Sequence, residues 1–141
     1  MANILIIEDD QVFSKLLVMH LEDLDHEPQT ASNLEHARQL LADNIPDAII
    51  LDQQLPDGFG IDILKEIVEH SPHPPVIMIT GVSDKTLAIQ AMGLVAHDFI
   101  RKPMDEIELH TTLTNALKSH RMSRQLSAIK DNEHYKIDIW Q

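Results

Sequence analysis

The sequence predicts an α/β fold: a doubly wound, five-stranded parallel sheet with helices on both faces. Three observations carry that expectation. Short strand-like runs recur five times, at residues 4–7, 28–31, 48–51, 76–79 and 98–101. The stretches between them place apolar residues at helical spacing. Acidic residues, Pro and Gly punctuate the changeovers. Alternation of strand and helix favours right-handed crossovers and hence parallel strands, here expected in the order 2-1-3-4-5.

The elements follow in chain order. Ile4-Leu5-Ile6-Ile7 is a short apolar run that ends at Glu8-Asp9-Asp10. From Phe13 the period changes, and Phe13, Leu16, Leu17, His20, Leu21 and Leu24 recur on one helical stripe. Pro28-Gln29-Thr30-Ala31 is a weaker strand candidate. Ser32-Asn33-Leu34-Glu35 fits a capping box, with Ser32 as cap and Glu35 reaching back. Leu34, Ala37, Leu40 and Leu41 form the apolar face of the helix it opens, and Asn44 and Pro46 end it.

Ala48-Ile49-Ile50-Leu51 ends at Asp52 and is followed by the turn-rich Pro56-Asp57-Gly58 and Gly60. A short apolar run bounded in this way predicts a strand buried on both faces. Ile61, Leu64, Ile67 and Val68 mark a third helix. Ser71-Pro72-His73-Pro74-Pro75 must break it, because proline fixes φ and supplies no amide hydrogen. Val76-Ile77-Met78-Ile79 leads to Thr80-Gly81, and a helix is expected from about Ser83 to Met92. Asp98-Phe99-Ile100-Arg101 leads to Lys102-Pro103, and Pro103 suits the first turn of a helix with the face Leu109, Leu113, Ala116 and Leu117. Residues 1–120 are expected to form one domain and 121–141 a C-terminal extension or linker. In that tail Tyr135, Ile137 and Ile139 alternate like a strand, and a frayed terminus is an equally open reading.

Composition narrows the function classes. At 141 residues a single domain with a sizeable core is expected. There is no cysteine, which removes disulfides and thiolate chemistry. Lys plus Arg number 11 against 23 Asp plus Glu, a net charge of −12. That field repels phosphate backbones, so no nucleic-acid binding by these residues is expected, whereas a cation or a basic partner would suit it. No apolar run approaches a membrane span, and Met1-Ala2-Asn3 does not open a signal peptide. The expected location is the cytoplasm, with no membrane partner.

The carboxyl ends of the expected strands collect the chemistry. Glu8 and Asp9 follow the first strand, Asp52 ends the third, Thr80 the fourth, and Lys102 follows the fifth. With the order 2-1-3-4-5, the first and third strands are neighbours at the topological switch point, where open parallel sheets bind ligands. Three converging carboxylates raise each other's pKa unless a cation intervenes, and such a hard oxygen site fits Mg²⁺. An Asp carboxylate is a competent nucleophile towards phosphorus. Lys102 offers a flexible point charge, and Thr80 a hydroxyl for the transferring group. His70 and His73 sit in the Pro-rich loop with no third ligand, a poor zinc site.

Taken together these residues resemble the receiver domain of two-component response regulators, over roughly residues 3–118. The resemblance rests on the strand and acidic turn at 4–10, on Leu51-Asp52-Gln53-Gln54-Leu55-Pro56-Asp57-Gly58-Phe59-Gly60, on Ile79-Thr80-Gly81, and on Asp98-Phe99-Ile100-Arg101-Lys102-Pro103. It implies a flavodoxin-like fold, with Asp52 as phosphoacceptor. Mg²⁺ would be held by Glu8, Asp9, Asp52 and the backbone carbonyl of Gln54. Thr80 and Phe99 would form a switch pair, and Lys102 would serve the phosphoryl group. The implied partners are a histidine kinase or phosphotransfer protein and a downstream output domain or protein. The implied switching surface, also a possible homodimer face, spans residues 83–120. Glu8 departs from the family's more frequent Asp.

Such a module catalyses only its own phosphotransfer and dephosphorylation. One rival is a Mg²⁺-dependent phosphohydrolase with an Asp nucleophile, but those enzymes usually carry a second acid where Gln54 stands. Another is a receiver-like binding module that works without phosphate, against which the intact set Asp9, Asp52, Thr80 and Lys102 argues.

Overall fold

In the computed structural model the described residues are 2–70, 72–81, 93, 98–102 and 105–122. In chain order they form β1 (Asn3–Ile7), α1 (Gln11–Asp23), β2 (Glu27–Ala31), α2 (Leu34–Asp43), β3 (Ala48–Asp52), β4 (Gln54–Leu55), β5 (Gly58–Phe59), α3 (Gly60–Glu69), β6 (Val76–Thr80) and β7 (Asp98–Arg101). A further helix covers residues 106–122. Five strands pair in parallel in the order β2-β1-β3-β6-β7, the expected arrangement, while β4 and β5 make a small antiparallel hairpin. The helix expected at 83–92 and the tail beyond 122 lie outside the described residues. Among those described, no helix is long and apolar enough to cross a membrane.

The sheet is a partition between two cores. Successive strand residues face opposite sides, so each strand feeds both layers. Leu5, Ile7, Ile49, Leu51, Val76 and Met78 pack on Leu34, Ala37, Ile63, Leu64 and Ile67 of α2 and α3. Ile4, Ile6, Ala48, Ile50, Ile77, Ile79 and Ile100 pack on Leu17 and Leu21 of α1 and on Leu109, Leu113 and Ala116. Every residue of β3 and β6 is buried, as continuous apolar runs in a parallel sheet require. Each such Ile or Leu contributes about 1.5–3 kcal/mol over an exposed one.

Side chains set where the helices begin. The Asp10 carboxylate accepts from the amides of Val12 (3.0 Å) and Phe13 (3.1 Å), so α1 starts at Gln11, ahead of the expected change at Phe13. Its buried face is Ser14, Leu17 and Leu21, and Leu16, expected on the apolar stripe, is 43% exposed. The expected Ser32 cap of α2 is also corrected. Asn33 is the cap residue, its side chain accepting from the His36 amide at 2.7 Å. The Leu34 and Glu35 amides donate to Asp57, 23 and 22 residues further on. A tertiary carboxylate thus takes the Glu35 amide that a local Ser–Glu box would have served, together with the Leu34 amide beside it.

Candidate functional site

The alternation that splits the core also gathers the site. Ile4 and Ile6 face the α1 layer. Glu8 keeps their parity, because its amide extends the ladder onto the Ala31 carbonyl at 3.0 Å. Asp52 shares parity with Ala48 and Ile50, and Lys102 with Ile100. Three side chains from three strands therefore leave the carboxyl edge of the sheet on one face. Asp9, in the turn between β1 and α1, is exposed and completes the group. Glu8, Asp9 and Asp52 each offer a carboxylate oxygen, all within 4.8 Å of one another. Among the described residues this is the cluster of ligating side chains close enough to share an ion, and His70 and His73 do not form one.

Lys102 closes the pocket. Its backbone amide donates to the Thr80 carbonyl at 2.7 Å, which anchors it beside the end of β6. Its ammonium donates to Glu8 Oε2 at 2.9 Å and to Asp52 Oδ2 at 3.4 Å, and lies 4.5 Å from the centroid of the Phe13 ring. A cation over an aromatic face gains about 0.5–1 kcal/mol or more as water is excluded. The sequence places Phe13 on the α1 stripe, but no local signal marks it as a lysine support.

Burial shapes the charges. Glu8 is 3% exposed, and its desolvation pushes its pKa up to about 7, against the opposing pull of the Lys102 hydrogen bond and the Asp10 amide. Burial also pulls Lys102 down, but the Glu8 hydrogen bond and the Asp52 and Glu8 charges outweigh it and hold the ammonium above its ordinary value. Lys102 therefore stays charged, while Glu8 can carry a proton near neutrality.

Asp52 is 7% exposed and held at one oxygen, Oδ1, by the Gln53 amide at 2.8 Å. Gln53 is fastened on two further sides: its carbonyl accepts from the Gly60 amide at 2.7 Å, and its side-chain oxygen from the Ile61 amide at 2.9 Å. The second bond supplies the α3 cap that Phe59 does not. Gly60 is dictated by the same crowding, since a Cβ there would overlap the Asp52 carbonyl oxygen. The Gly60–Gln53 bond makes 53 and 60 a hydrogen-bonded pair, and Gln54 and Phe59 come next in the ladder. Antiparallel alternation then turns the Gln54 carbonyl outward from the hairpin.

Of the residues singled out in the sequence, Glu8, Asp9, Asp52 and Lys102 come together. Thr80 is 3% exposed at the end of β6, one position past Ile79, the residue paired with Asp52. Phe99 pairs with Met78 in β7, and its side chain lies outside the described residues. Sequence reasoning missed the clamping roles of Gln53 and Asp57, whose partners are set by tertiary contact.

Comparison with known proteins agrees with this geometry. The family model described as response regulator receiver domain matches residues 4–114. The chain is 36% identical over 114 residues to the response regulator protein PilR of Pseudomonas aeruginosa, covering 81% of this chain and 26% of PilR. It is 35% identical over 120 residues to the KDP operon transcriptional regulatory protein KdpE of Escherichia coli, covering 85% of this chain and 53% of KdpE. The crystal structure of NtrX from Brucella abortus superposes with a TM-score of 0.86 at 30% identity, covering 92% of this chain and 30% of that one. The chain thus spans about a quarter to a half of the length of these relatives. With the sheet order, the acidic cluster and the lysine in place, the chain belongs to the receiver-domain family of response regulators, the phosphorylation-dependent signalling modules of two-component systems.

Proposed function

We propose that Asp52 is the phosphoacceptor, that Mg²⁺ is the required cation, and that the donor is a phosphohistidine on a kinase or phosphotransfer protein. The observation that carries this reading is the Lys102 ammonium set between Glu8 and Asp52, in a pocket whose other members are carboxylates. The donor set fits the ion: all oxygen, anionic and open to solvent at Asp9. Glu8, Asp9, Asp52 and the outward Gln54 carbonyl would hold it, and it would neutralise charge on the transferring phosphoryl group.

The chain's own part is to aim and to compensate. The Gln53 amide fixes the Asp52 carboxylate through Oδ1, leaving Oδ2 towards Lys102. An Asp52 oxygen attacks phosphorus, the P–N bond of the donor breaks, and its imidazole leaves and takes up a proton. Lys102 then has a new anion within reach, and Thr80 a phosphoryl oxygen. Phosphorylation adds about −1.5 to −2 charges at one point, enough to bias a two-state surface. That surface is proposed at 83–120, with Thr80 and Phe99 as its switch pair, and the same face is a candidate for homodimer contact. The module is read as residues 1–120 with 121–141 as a C-terminal extension or linker. The greater length of PilR, KdpE and NtrX supports an output domain or protein as the downstream partner.

The test is incubation of the chain with Mg²⁺ and a small acyl phosphate, followed by intact mass. One added phosphoryl group that disappears in Asp52→Asn and without Mg²⁺ is expected. No addition, or addition that survives Asp52→Asn, would reject the site. Steady turnover of a phosphate ester would favour the phosphohydrolase instead.

A further inference from the structure

We infer that Asp57, together with Gln53, positions the cation pocket by clamping the β4–β5 hairpin, so that the Gln54 carbonyl is held beside Asp52. This rests on the metal reading above and adds residues outside its ligand set.

The hairpin is tied to three elements. Asp57, in its two-residue turn, accepts from the amides of Leu34 at 2.8 Å and Glu35 at 3.0 Å, which fastens the tip to the start of α2. Those bonds, the Leu34 amide foremost, hold the Asp57 carboxyl below the usual carboxylate range. Gln53, at the base, joins Asp52 Oδ1 through its amide and the start of α3 through its carbonyl and side chain. Gly58 has φ +153°, and a Cβ there would come within 2.8 Å of Leu34 Cδ1, so the turn rests directly on α2. Gln54 lies between these fastenings, so its carbonyl is aimed by its neighbours.

A metal ligand that is a backbone carbonyl has no side-chain torsion with which to recover from a displaced loop. Freeing either end of a six-residue excursion lets that oxygen move by more than coordination tolerates. Residues that orient ligands in this way typically change metal affinity by about 10- to 100-fold. Asp57 is an effective candidate because it touches no proposed ligand yet sets the outer end of the loop.

The experiment is calorimetric titration of the 141-residue chain with MgCl₂, alongside thermal unfolding without metal. Asp57→Ala is expected to weaken Mg²⁺ binding about 10-fold. Asp57→Asn keeps an acceptor oxygen and should lose less, roughly threefold. In acyl phosphate labelling, the half-saturating Mg²⁺ concentration should rise while the rate at saturating Mg²⁺ stays near that of the parent chain. Gln53→Met removes the side-chain part of the base fastening, the bond from the Ile61 amide, at similar bulk and should weaken binding likewise; it decides the matter if Asp57→Ala does not fold. Unchanged Mg²⁺ affinity in a folded but less stable Asp57→Ala chain would overturn the inference. Asp9→Asn separates the two readings. If it weakens binding and the clamp variants do not, only the clamp fails; if the parent chain binds no Mg²⁺, or Asp9→Asn changes nothing, the metal site fails and the clamp with it.

Discussion

The Glu8 carboxyl makes the stability of the metal-free chain depend on pH in an unusual direction. Its pKa stands at about 7 in the fold against an ordinary 4.5, chiefly because it is desolvated. The folded chain therefore holds this proton more tightly than the unfolded chain does. The resulting stabilisation is full below about pH 4.5 and is lost as pH rises through about 7. A displacement of that size sets a ceiling of roughly 3 kcal/mol, and between pH 5 and pH 8 the loss is expected at about 2 kcal/mol. Most paired carboxylates do the reverse and lose stability as pH falls.

Glu8→Gln isolates this term. Glutamine keeps the shape and an acceptor for Lys102 but does not titrate. Urea unfolding of both chains in a chelator, from pH 5 to pH 8, gives two curves whose difference contains only Glu8. The nine histidines are common to both chains and cancel. The parent chain should lose about 2 kcal/mol relative to Glu8→Gln across that range. Parallel curves would refute the argument. So would a parent chain that gains relative to the variant, since Lys102 would then outweigh burial and hold Glu8 ionised.

Two other perturbations test the packing around the site. Gly60→Ala forces a methyl group against the Asp52 carbonyl, a backbone atom that cannot swing aside. A loss of about 1–3 kcal/mol in urea unfolding, with slower acyl phosphate labelling, is expected, and an unchanged midpoint would contradict the close approach. Arg38→Ala removes a 2.9 Å ion pair with Glu66 between α2 and α3, both side chains about half exposed (48% and 50%). It should cost no more than about 1 kcal/mol and fade in high salt, and a larger loss would mean the pair organises the α2–α3 seam.

Much of this was legible in the sequence, for a physical reason. Strand period, apolar runs and turn residues are local, and they fix which residues stand at strand ends. The two-residue period then decides that Glu8, Asp52 and Lys102 share a face, so a site assembled from strand ends can be read before any contact is known. What was not legible is set by tertiary competition. Ser32 had the local grammar of a cap, yet Asn33 and the distant Asp57 took the amides at the start of α2. Leu16 had helical spacing, but the surface of the sheet is met by Ser14, Leu17 and Leu21, a narrower stripe. Gln53 looked like a polar residue after Asp52, and nothing nearby foretold that its side chain would reach the Ile61 amide.

The Glu at position 8 has a structural consequence that strand parity alone does not reveal. Both Glu8 oxygens are engaged, Oε1 by the Asp10 amide at 3.0 Å and Oε2 by Lys102 at 2.9 Å. The lysine's contact with Asp52 is longer, at 3.4 Å. The buried acid, and not Asp52, is therefore the main partner of the lysine. A cation held by Glu8, Asp9 and Asp52 would compete with Lys102 for Glu8. Weakening that pair would free the ammonium towards Asp52 Oδ2, where a transferring phosphoryl group would need it. The Glu8 arm would thus couple two events, occupation of the acidic cluster and release of the lysine, and a shorter carboxylate, set further from the ammonium, would leave them more nearly independent.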